Sequence, residues 1–567
     1  MVPRLRTIAQ MSVSTSDPAG VVAENRVGAR MVAFGGQRAT ERLLIGLIVA
    51  SFAIAAVSLL FPSTPSYDPW SWIIWGRQIV HGSLDLHNGP SWKPLPVIFT
   101  TVFGLFGQAA PNLWLLVARG GATLASLMTF WLAARVTWWL RDPQPAATAR
   151  QGAFGRAIAY GPGLLAGSVA MVGLVLSGDF LTTSILGYSE GLMIAGALVA
   201  IERHIDGHPR QAFALGMIAA LDRPEFWVLW GPYGLWLLWR DRRSWPLVVG
   251  LAVLTLLLWF IPQKLGGVAL TAAATHDLHP TGASAAQASC PICSEIADHA
   301  WVLVPFRVKV AAILALLAAA VLILRRWRAG GGLRLESGRE RGVAGLVAFG
   351  LLGFLWWLIV GVETEFGFSG NTRYLVLGSA FLFICGGSGF GWASIALGQQ
   401  LRRWALPVAS RLRPAGVVMA GTAVFSAAFL LLPNWVGSTL VSPAWVRHDM
   451  SYQSQLREDI VALIRRGGGA RRLASCGPVM AEQFQVPMVA WYLGIPFTSV
   501  SEGPRVNAHG LAPVAKGQWP AVIFQDRATP SSAAEPQTVT IRGWEAEGAS
   551  YTVRRQKAMT LYQACRR

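Results

Sequence analysis

The feature that most constrains this chain is a series of long apolar runs separated by short polar segments. The first run is 43–61, and the others are 112–139, 157–178, 188–202, 211–222, 225–239, 245–262, 301–324, 343–361, 374–395 and 415–433. Because a helix needs roughly 20 apolar residues to cross a bilayer, these runs predict about eleven transmembrane helices in a mainly α polytopic protein. A composition of 53% hydrophobic and 14% charged residues excludes a disordered chain or a typical soluble enzyme.

Basic residues are concentrated in every second loop between the apolar runs. The basic loops are 141–156, 203–210, 240–243, 325–341 and 402–413, whereas the alternate loops carry only scattered cations. The positive-inside rule therefore places the basic loops and a polar leader, residues 1–40, in the cytoplasm. Because these loops account for most of the net charge of +19, we do not expect nucleic acid as a partner.

The tail that follows the transmembrane domain (41–433) has a different character. Residues 434–567 are more polar, and an odd number of spans places them outside the cytoplasm. The segments RRLASCG, AVIFQD, TVTIRGWE and SYTVRRQ have the composition of short strands, whereas 455–466 and QFQVPMVAWYLG have that of helices. We predict a small extracytoplasmic α/β domain, in which Cys476 and Cys565 are candidates for a disulfide.

A tryptophan-rich segment directly follows the first apolar run. It contains Asp68-Pro69, and proline suits the first turn of a helix. Trp70, Ile73 and Ile74 have helical spacing, which predicts a helix over about 69–81 that lies in the membrane interface. Asp68 has two compatible interpretations, as the N-cap of this helix and as a general base. The apolar run 94–107 is too short to span, so we expect it to be re-entrant or interfacial.

Other ionisable residues also lie at the external ends of apolar runs, where charge is costly and is often functional. Each has a structural interpretation beside a functional one. Glu190 would interact with a helix dipole, Arg223 would pair with Glu225, and Lys93 would snorkel to the membrane surface. Arg373 would bind an external phosphate or pair with Glu363 or Glu365.

The external loop 263–300 contains two pairs of metal-ligating residues. His276 and His279 form an H-x2-H pair, and Cys290 and Cys293 form a C-x2-C pair, so together they could supply four zinc ligands. On an oxidising face, however, a disulfide within C-x2-C or ordinary thiols is the interpretation that we prefer.

Three short motifs occur in order at the external helix ends: Tyr67-Asp68-Pro69-Trp70, Gly187-Tyr188-Ser189-Glu190 and Leu221-Asp222-Arg223-Pro224-Glu225. Together they resemble the GT-C glycosyltransferases, and the third resembles a turn of bacterial arabinofuranosyl- and mannosyltransferases. The resemblance covers about 40–395 in topology. Many members carry paired acids after the first span, whereas here Asp68 stands alone and Asp85 lies well downstream. The use of a divalent metal therefore stays open.

The resemblance implies an inverting transfer from a polyprenyl-phosphate sugar, with Asp68 as the general base and no required cofactor. It implies that the donor phosphate is held by Lys93, Arg223 and Arg373, with Arg77 as a weaker candidate. It also implies that the sugar or acceptor is contacted or oriented by Glu190, Glu225, Trp72 and Asp85. The expected partners are membrane lipid, the lipid-linked donor and an extracytoplasmic glycan, lipid or protein acceptor. The expected location is the cell membrane.

Two other functions are compatible with the same sequence. A transporter or flippase of a cell-envelope precursor would also be polytopic, although such proteins commonly contain inverted repeats and mid-membrane polar sites. A non-catalytic scaffold would keep the fold and present the external domain without needing Asp68.

Overall fold

The computed structural model describes residues 36–141, 153–278, 284–332, 335, 337–404, 441–503, 506–507, 510–511, 519–526 and 538–565. The helices of the first part of the chain are α1 Gly36–Ser58, α2 Tyr67–Val80, α3 Pro94–Gly104, α4 Ala110–Leu140, α5 Ala153–Val175, α6 Gly178–Ile185, α7 Glu190–Ile205, α8 Pro209–Asp222, α9 Trp227–Arg240, α10 Trp245–Leu265, α11 Phe306–Arg328, α12 Gly338–Glu365 and α13 Val376–Trp404. The chain divides within α1 into two units, 1–47 and 48–567, and the site described below belongs to the second.

Six of the described helices are long and apolar enough to cross a membrane, or seven if the bent pair α6 and α7 forms one span. The six are α1, α4, α10, α11, α12 and α13. Helices occur at each predicted run except 415–433, which lies outside the described residues. The number of about eleven spans is nevertheless not confirmed. Helices α8 and α9 have 14 residues each, which is about 21 Å of helix against a hydrocarbon core of about 30 Å.

Helix α13 lies against α4, α5, α11 and α12. Glycines on α13 allow two of these helices to approach closely. An added methyl group at Gly387 would collide with the backbone of Ala166 on α5, and one at Gly389 would collide with the backbone of Ala311 on α11. Small residues at helix crossings are typical of packing in membranes, where close backbone contact replaces hydrophobic burial as the driving force.

Helix α2 forms close to its predicted position, but its tryptophans are buried in protein and do not face lipid. Trp70, Trp72 and Trp75 are at most 1% exposed. The short run 94–107 forms α3, which packs along α2 on one side. The C-terminal domain covers α2 from another side, where Tyr492 contacts Trp70 at a centroid distance of 5.7 Å. The apolar stripe of α2 is therefore a protein core.

The C-terminal domain combines helices with short strands. Its elements are α14 Pro443–Arg466, α15 Ala470–Ser475, β1 Val479–Ala481, α16 Val486–Leu493, β2 Val500–Glu502, β3 Val506–Asn507, β4 Gly510–Leu511, β5 Val522–Asp526, α17 Thr538–Ala546, β6 Thr552–Arg555 and β7 Met559–Gln563. Five strands form a sheet in the order β2-β1-β5-β7-β6. Strands β2, β1 and β5 are parallel, and β7 and β6 are antiparallel to their neighbours. A mainly helical fold with a small C-terminal sheet is thus confirmed.

Two of the four predicted strands in this domain are helices. RRLASCG forms α15, and TVTIRGWE forms α17. In the second case the β-branched residues favoured a strand, but Ile541 and Trp544 are three residues apart and share one helical face. Both side chains are buried in the core of the domain. The predicted disulfide between Cys476 and Cys565 is confirmed.

Candidate active site

Asp68 lies in the first turn of α2 and is 9% exposed. Ser66 occupies the N-cap position, so the interpretation of Asp68 as the N-cap is wrong. The backbone N–H of Ser66 donates to the carbonyl oxygen of Leu186 at 2.9 Å, which joins the start of α2 to the break between α6 and α7. Nη1 of Arg373 donates to Oδ2 of Asp68 at 2.9 Å. Asp68 is therefore fixed both by its helix and by a charge-assisted hydrogen bond.

Glu190 lies at the first residue of α7, directly after the break. Helices α6 and α7 meet at an angle of 111°, and Gly187 adopts a φ of 82° within this turn. Oε1 of Glu190 lies 3.0 Å from Nη2 of Arg223, 3.3 Å from Nζ of Lys93 and 3.9 Å from Nε of Arg373. One carboxylate that is 2% exposed therefore contacts the three main candidate phosphate-binding cations.

The turn after α8 supplies further charges to the same place. Arg223 has an extended backbone and precedes the short turn Pro224–Phe226. Its Nη1 donates to Oε1 of Glu225 at 3.2 Å. Burial disfavours the charged form of Arg223, but the carboxylates of Glu225 and Glu190 outweigh burial and raise the pKa of this guanidinium. Arg223 is therefore a permanent cation.

We call these side chains the ion cluster: the cations Lys93, Arg223 and Arg373, and the carboxylates Asp68, Glu190, Asp222 and Glu225. Sequence reasoning selected every member as a site residue except Asp222, which lies 4.0 Å from the ammonium group of Lys93. Three cations and four carboxylates held away from water are costly, because desolvation opposes each charge. Such a cost is typical of functional sites in membrane proteins.

Aromatic rings hold the two guanidinium groups of the cluster. The guanidinium carbon of Arg223 lies 3.6 Å from the ring centroid of Tyr374, and that of Arg373 lies 4.7 Å from the ring of Tyr188. These are cation–π contacts. Burial and the nearby charge of Asp68 raise the pKa of Tyr188, so its phenol stays protonated. Sequence reasoning missed Tyr374, and its position beside Arg373 was the only signal.

Several polar atoms in and beside the cluster are buried without a hydrogen-bond partner among the described residues. They include Nε of Arg223 and Arg373, and Oε2 of Glu190, Glu225 and Glu363. Glu363 lies near the end of α12 and interacts electrostatically with Glu225 and Arg223. Unsatisfied buried groups of both signs are expected where a polar ligand binds.

The alternative in which Arg373 pairs with Glu363 or Glu365 is wrong, because Arg373 pairs with Asp68.

Three of the predicted site residues are not members of the ion cluster. Arg77 donates to the carbonyl oxygens of Trp491 and Ile495 in the C-terminal domain, and burial lowers its pKa. It follows Asp68 by nine residues of helix, which separates the two by about 13 Å along the axis. Trp72 is fully buried and borders the cluster, because Nζ of Lys93 lies 5.4 Å from its ring centroid, so the ring packs against a cation and not against a sugar.

Asp85 is also outside the cluster. It lies 2.7 Å from Nδ1 of His87 and accepts a hydrogen bond from Thr498 in the C-terminal domain at 3.0 Å. Partial burial opposes its charge, but the hydrogen bonds from His87 and Thr498 lower its pKa. Asp85 therefore connects two parts of the protein and does not contact the cluster cations.

The zinc interpretation of the external loop is wrong for its cysteines, because Cys290 and Cys293 form a disulfide. His276 is exposed, and His279 lies outside the described residues. In the part of the chain that is described, no three His, Cys, Asp or Glu residues are arranged to hold a metal ion.

An apolar groove with a volume of about 670 Å³ lies between α11 and α12. It extends from Trp301 and Lys309 to Trp327, and its lining is almost entirely apolar. Trp357 lines the groove, and its Nε1 donates to the carbonyl oxygen of Leu375 at 3.1 Å. Leu375 follows Arg373 by two residues, so the groove and the ion cluster are joined through one short segment of backbone.

No family model and no curated protein sequence matches this chain. Its structure is similar to that of ArnT from Cupriavidus metallidurans bound to undecaprenyl phosphate, with 13% identity, a TM-score of 0.42, and coverage of 93% of this chain and 98% of that one. It is also similar to the oligosaccharyltransferase AglB from Archaeoglobus fulgidus in complex with an inhibitory peptide and a dolichol-phosphate, with 11% identity, a TM-score of 0.43, and coverage of 86% and 70%.

These neighbours are of the GT-C class that the sequence motifs resemble. Because TM-scores below 0.5 do not establish a shared fold, the function proposed below rests on the geometry of the ion cluster.

Proposed function

We propose that this protein is a membrane glycosyltransferase that moves a sugar from a polyprenyl-phosphate donor to an extracytoplasmic acceptor. The observation that carries the proposal is that Asp68 pairs with Arg373, which in turn shares Glu190 with Lys93 and Arg223 in one buried cluster. A positioned carboxylate suits proton abstraction from a hydroxyl group. Fixed cations suit a phosphate leaving group, on which negative charge increases in the transition state.

The donor phosphate binds among Lys93, Arg223 and Arg373. These three cations surround one oxygen of Glu190, so they converge on a small volume. Nε of Arg223 is a buried donor without a partner among the described residues, and a phosphate oxygen would satisfy it. The polyprenyl tail lies in the apolar groove between α11 and α12, where an isoprenoid chain meets almost no polar surface.

Asp68 is the general base in a single displacement. The acceptor oxygen attacks the anomeric carbon of the donor, the bond from that carbon to the phosphate oxygen breaks, and the hydroxyl proton passes to Asp68. Without substrate, Oδ2 of Asp68 is held by Arg373. A phosphate that binds Arg373 competes for the same guanidinium and so frees the carboxylate to accept the proton. One displacement inverts the configuration of the anomeric carbon.

The sugar of the donor lies against the carboxyl groups of Glu225 and Glu363. Each has an oxygen that is buried without a hydrogen-bond partner among the described residues, and carboxyl oxygens accept hydrogen bonds from hydroxyl groups. Glu190 orients the cations through Oε1, which contacts all three of them, and its buried Oε2 is free to accept a hydrogen bond from the sugar as well.

The reaction takes place on the side of the membrane opposite to the basic loops, with the N-terminus in the cytoplasm and the C-terminal domain outside. The contacts of Arg457 support this placement. It donates to the carbonyl oxygen of Ser63 at 3.1 Å and to Oδ1 of Asn112 at 3.2 Å, close to the start of α2. The C-terminal domain therefore lies on the same side as Asp68, and the positive-inside rule identifies that side.

The test uses the full-length protein in proteoliposomes with two synthetic donors, polyprenyl-phosphate arabinofuranose and polyprenyl-phosphate mannose, each labelled in the sugar, and with methyl glycosides supplied as acceptors. We expect one of them to be consumed, with release of free polyprenyl phosphate. Movement of an intact donor across the bilayer without release would identify a flippase and contradict the proposal.

A further inference from the structure

Three aromatic residues from two parts of the protein meet at Tyr67, which is adjacent in sequence to the proposed base. Tyr67 directly precedes Asp68 on α2. Its ring makes edge-to-face contacts with Phe484 and Phe497, at centroid distances of 6.3 Å and 6.0 Å. Both phenylalanines belong to the C-terminal domain. We call these three residues the aromatic edge.

The aromatic edge is held firmly, although one of its members is open to solvent. Phe497 is 3% exposed, and the neighbouring Thr498 donates to Asp85 in the loop after α2. Phe484 lies in the turn Gln483–Gln485 that follows β1, and it is 67% exposed. Its ring therefore contacts Tyr67 and remains accessible to solvent.

A single exposed phenylalanine is ordinary on a protein surface. The position of Phe484 makes it informative, because its aromatic partner is adjacent in sequence to the proposed base. Two tryptophans of the domain are not accessible in this way. Trp491 is 3% exposed and Trp544 is 6% exposed, so both are used for packing.

We propose that the aromatic edge is the acceptor subsite and that the acceptor is a carbohydrate. This inference rests on the proposed function. A sugar ring presents C–H groups on its faces and hydroxyl groups around its rim, and the face of an aromatic ring carries partial negative charge that attracts such C–H groups. Tyr67 connects a sugar ring on Phe484 to the helix start that carries Asp68. The cations and the apolar groove serve the donor, so the acceptor approaches from the C-terminal domain.

The experiment measures saturation-transfer NMR on the full-length protein in nanodiscs, with four methyl glycosides as probes: the arabinofuranoside, mannopyranoside, glucopyranoside and galactopyranoside. The variants are Phe484→Ala, Phe484→Leu and Phe484→Tyr. The matched control is Phe366→Ala, because Phe366 is 80% exposed and follows the end of α12, whereas the ring partners of Tyr67 are Phe484 and Phe497.

We expect at least one probe to receive saturation at its ring protons in the wild type and in Phe484→Tyr. Phe484→Ala and Phe484→Leu should weaken its binding by roughly three- to tenfold, as the loss of an aromatic contact implies. Phe366→Ala should bind like the wild type. Because Phe484 is exposed, Phe484→Ala should keep the wild-type melting temperature.

The inference is overturned if Phe484→Ala binds the probes as well as the wild type does, or if no probe receives saturation. Wild-type binding by Phe484→Leu would also overturn it, because it would show a merely apolar role such as contact with lipid. Asp68→Asn separates this inference from the proposed function. Sugar binding that depends on Phe484 and persists in Asp68→Asn supports the subsite even if no donor is consumed. Donor consumption together with unchanged sugar binding in Phe484→Ala overturns the subsite alone.

Discussion

Replacement of Asp68 by asparagine separates the chemistry of this residue from its structural contacts. Asparagine has nearly the same shape and can still accept a hydrogen bond from Arg373, but it cannot take a proton. Loss of a general base reduces a rate by about 10²- to 10⁴-fold. At 1.36 kcal/mol for each factor of ten, this is about 3 to 5 kcal/mol of transition-state stabilisation.

The cost to folding should be smaller. Removal of one partner of a buried ion pair costs about 3 to 5 kcal/mol when the remaining charge is left alone. Arg373 is not left alone in Asp68→Asn, because Glu190 lies 3.9 Å from its Nε and the ring of Tyr188 lies 4.7 Å from its guanidinium carbon. We therefore expect a loss in the free energy of unfolding below about 3 kcal/mol, with the variant still inserted and monodisperse.

The assay is the single-turnover release of polyprenyl phosphate from a labelled donor in proteoliposomes. Asp85→Asn is the matched control, because Asp85 belongs to the same segment and its asparagine replacement can still accept a hydrogen bond from Thr498. Asp85→Asn should react at the wild-type rate. If Asp68→Asn retains more than about a tenth of that rate, the assignment of Asp68 as the base is refuted. If Asp68→Asn does not fold, Asp68→Glu keeps the test open, because a base on a longer side chain should retain part of the activity.

Three further changes test other parts of the structure. Lys93→Met removes one of the three cations around Glu190, so kcat/KM for the donor should fall by about 10²-fold or more, whereas the exposed Lys264→Met should leave it unchanged. Cys476→Ser opens a disulfide between residues 89 apart and should cost the C-terminal domain about 2 to 5 kcal/mol in urea unfolding, against little for Cys290→Ser, whose bridge spans three residues. Burial raises the pKa of Glu295 to about 7 although His299 opposes the shift, so the folded protein holds this proton more tightly than the unfolded chain does. The contribution of Glu295 to the stability of the folded protein should therefore fall as pH rises from about 4 to 7. The melting temperature of Glu295→Gln should exceed that of the wild type at pH 8 but not at pH 4. A wild type that gains stability over this range relative to Glu295→Gln would contradict the raised pKa of Glu295.

Most of the ion cluster could be predicted because its members stand out from apolar surroundings. Asp68, Glu190 and Arg223 each lie close to the place where an apolar run begins or ends, and ionisable residues at such places are rare and often functional. Their convergence could not be derived from spacing alone. It depends on the bend of 111° before Glu190 and on the path of the segment that brings Arg373 beside Asp68.

The errors have a common physical origin, since the pattern of one segment does not reveal what covers it. Trp70, Trp72 and Trp75 match the pattern of an interfacial helix, but the C-terminal domain and α3 convert that face into a core. TVTIRGWE has the residues of a strand, but Ile541 and Trp544 are buried on one face of a helix. The number of about eleven spans is not confirmed, because an apolar run of 14 residues can be buried in protein as well as in lipid.

The sequence also did not reveal that Arg119 satisfies backbone carbonyls at the helix ends next to the ion cluster. The ion cluster forms where helices break, and each break leaves backbone carbonyls that the bilayer cannot satisfy. Arg119 lies within α4, is 7% exposed, and donates to the carbonyl oxygens of Ser58 and Ile185, which end α1 and α6. It therefore satisfies the ends of the two helices that precede the connecting segments before Asp68 and Glu190. The protein contains two kinds of buried arginine. Arg119 donates hydrogen bonds to backbone carbonyls, whereas Arg223 and Arg373 are the proposed ligands of the donor phosphate. Charge and hydropathy do not distinguish them, because Arg119 lies inside an apolar run and only its carbonyl partners identify its role.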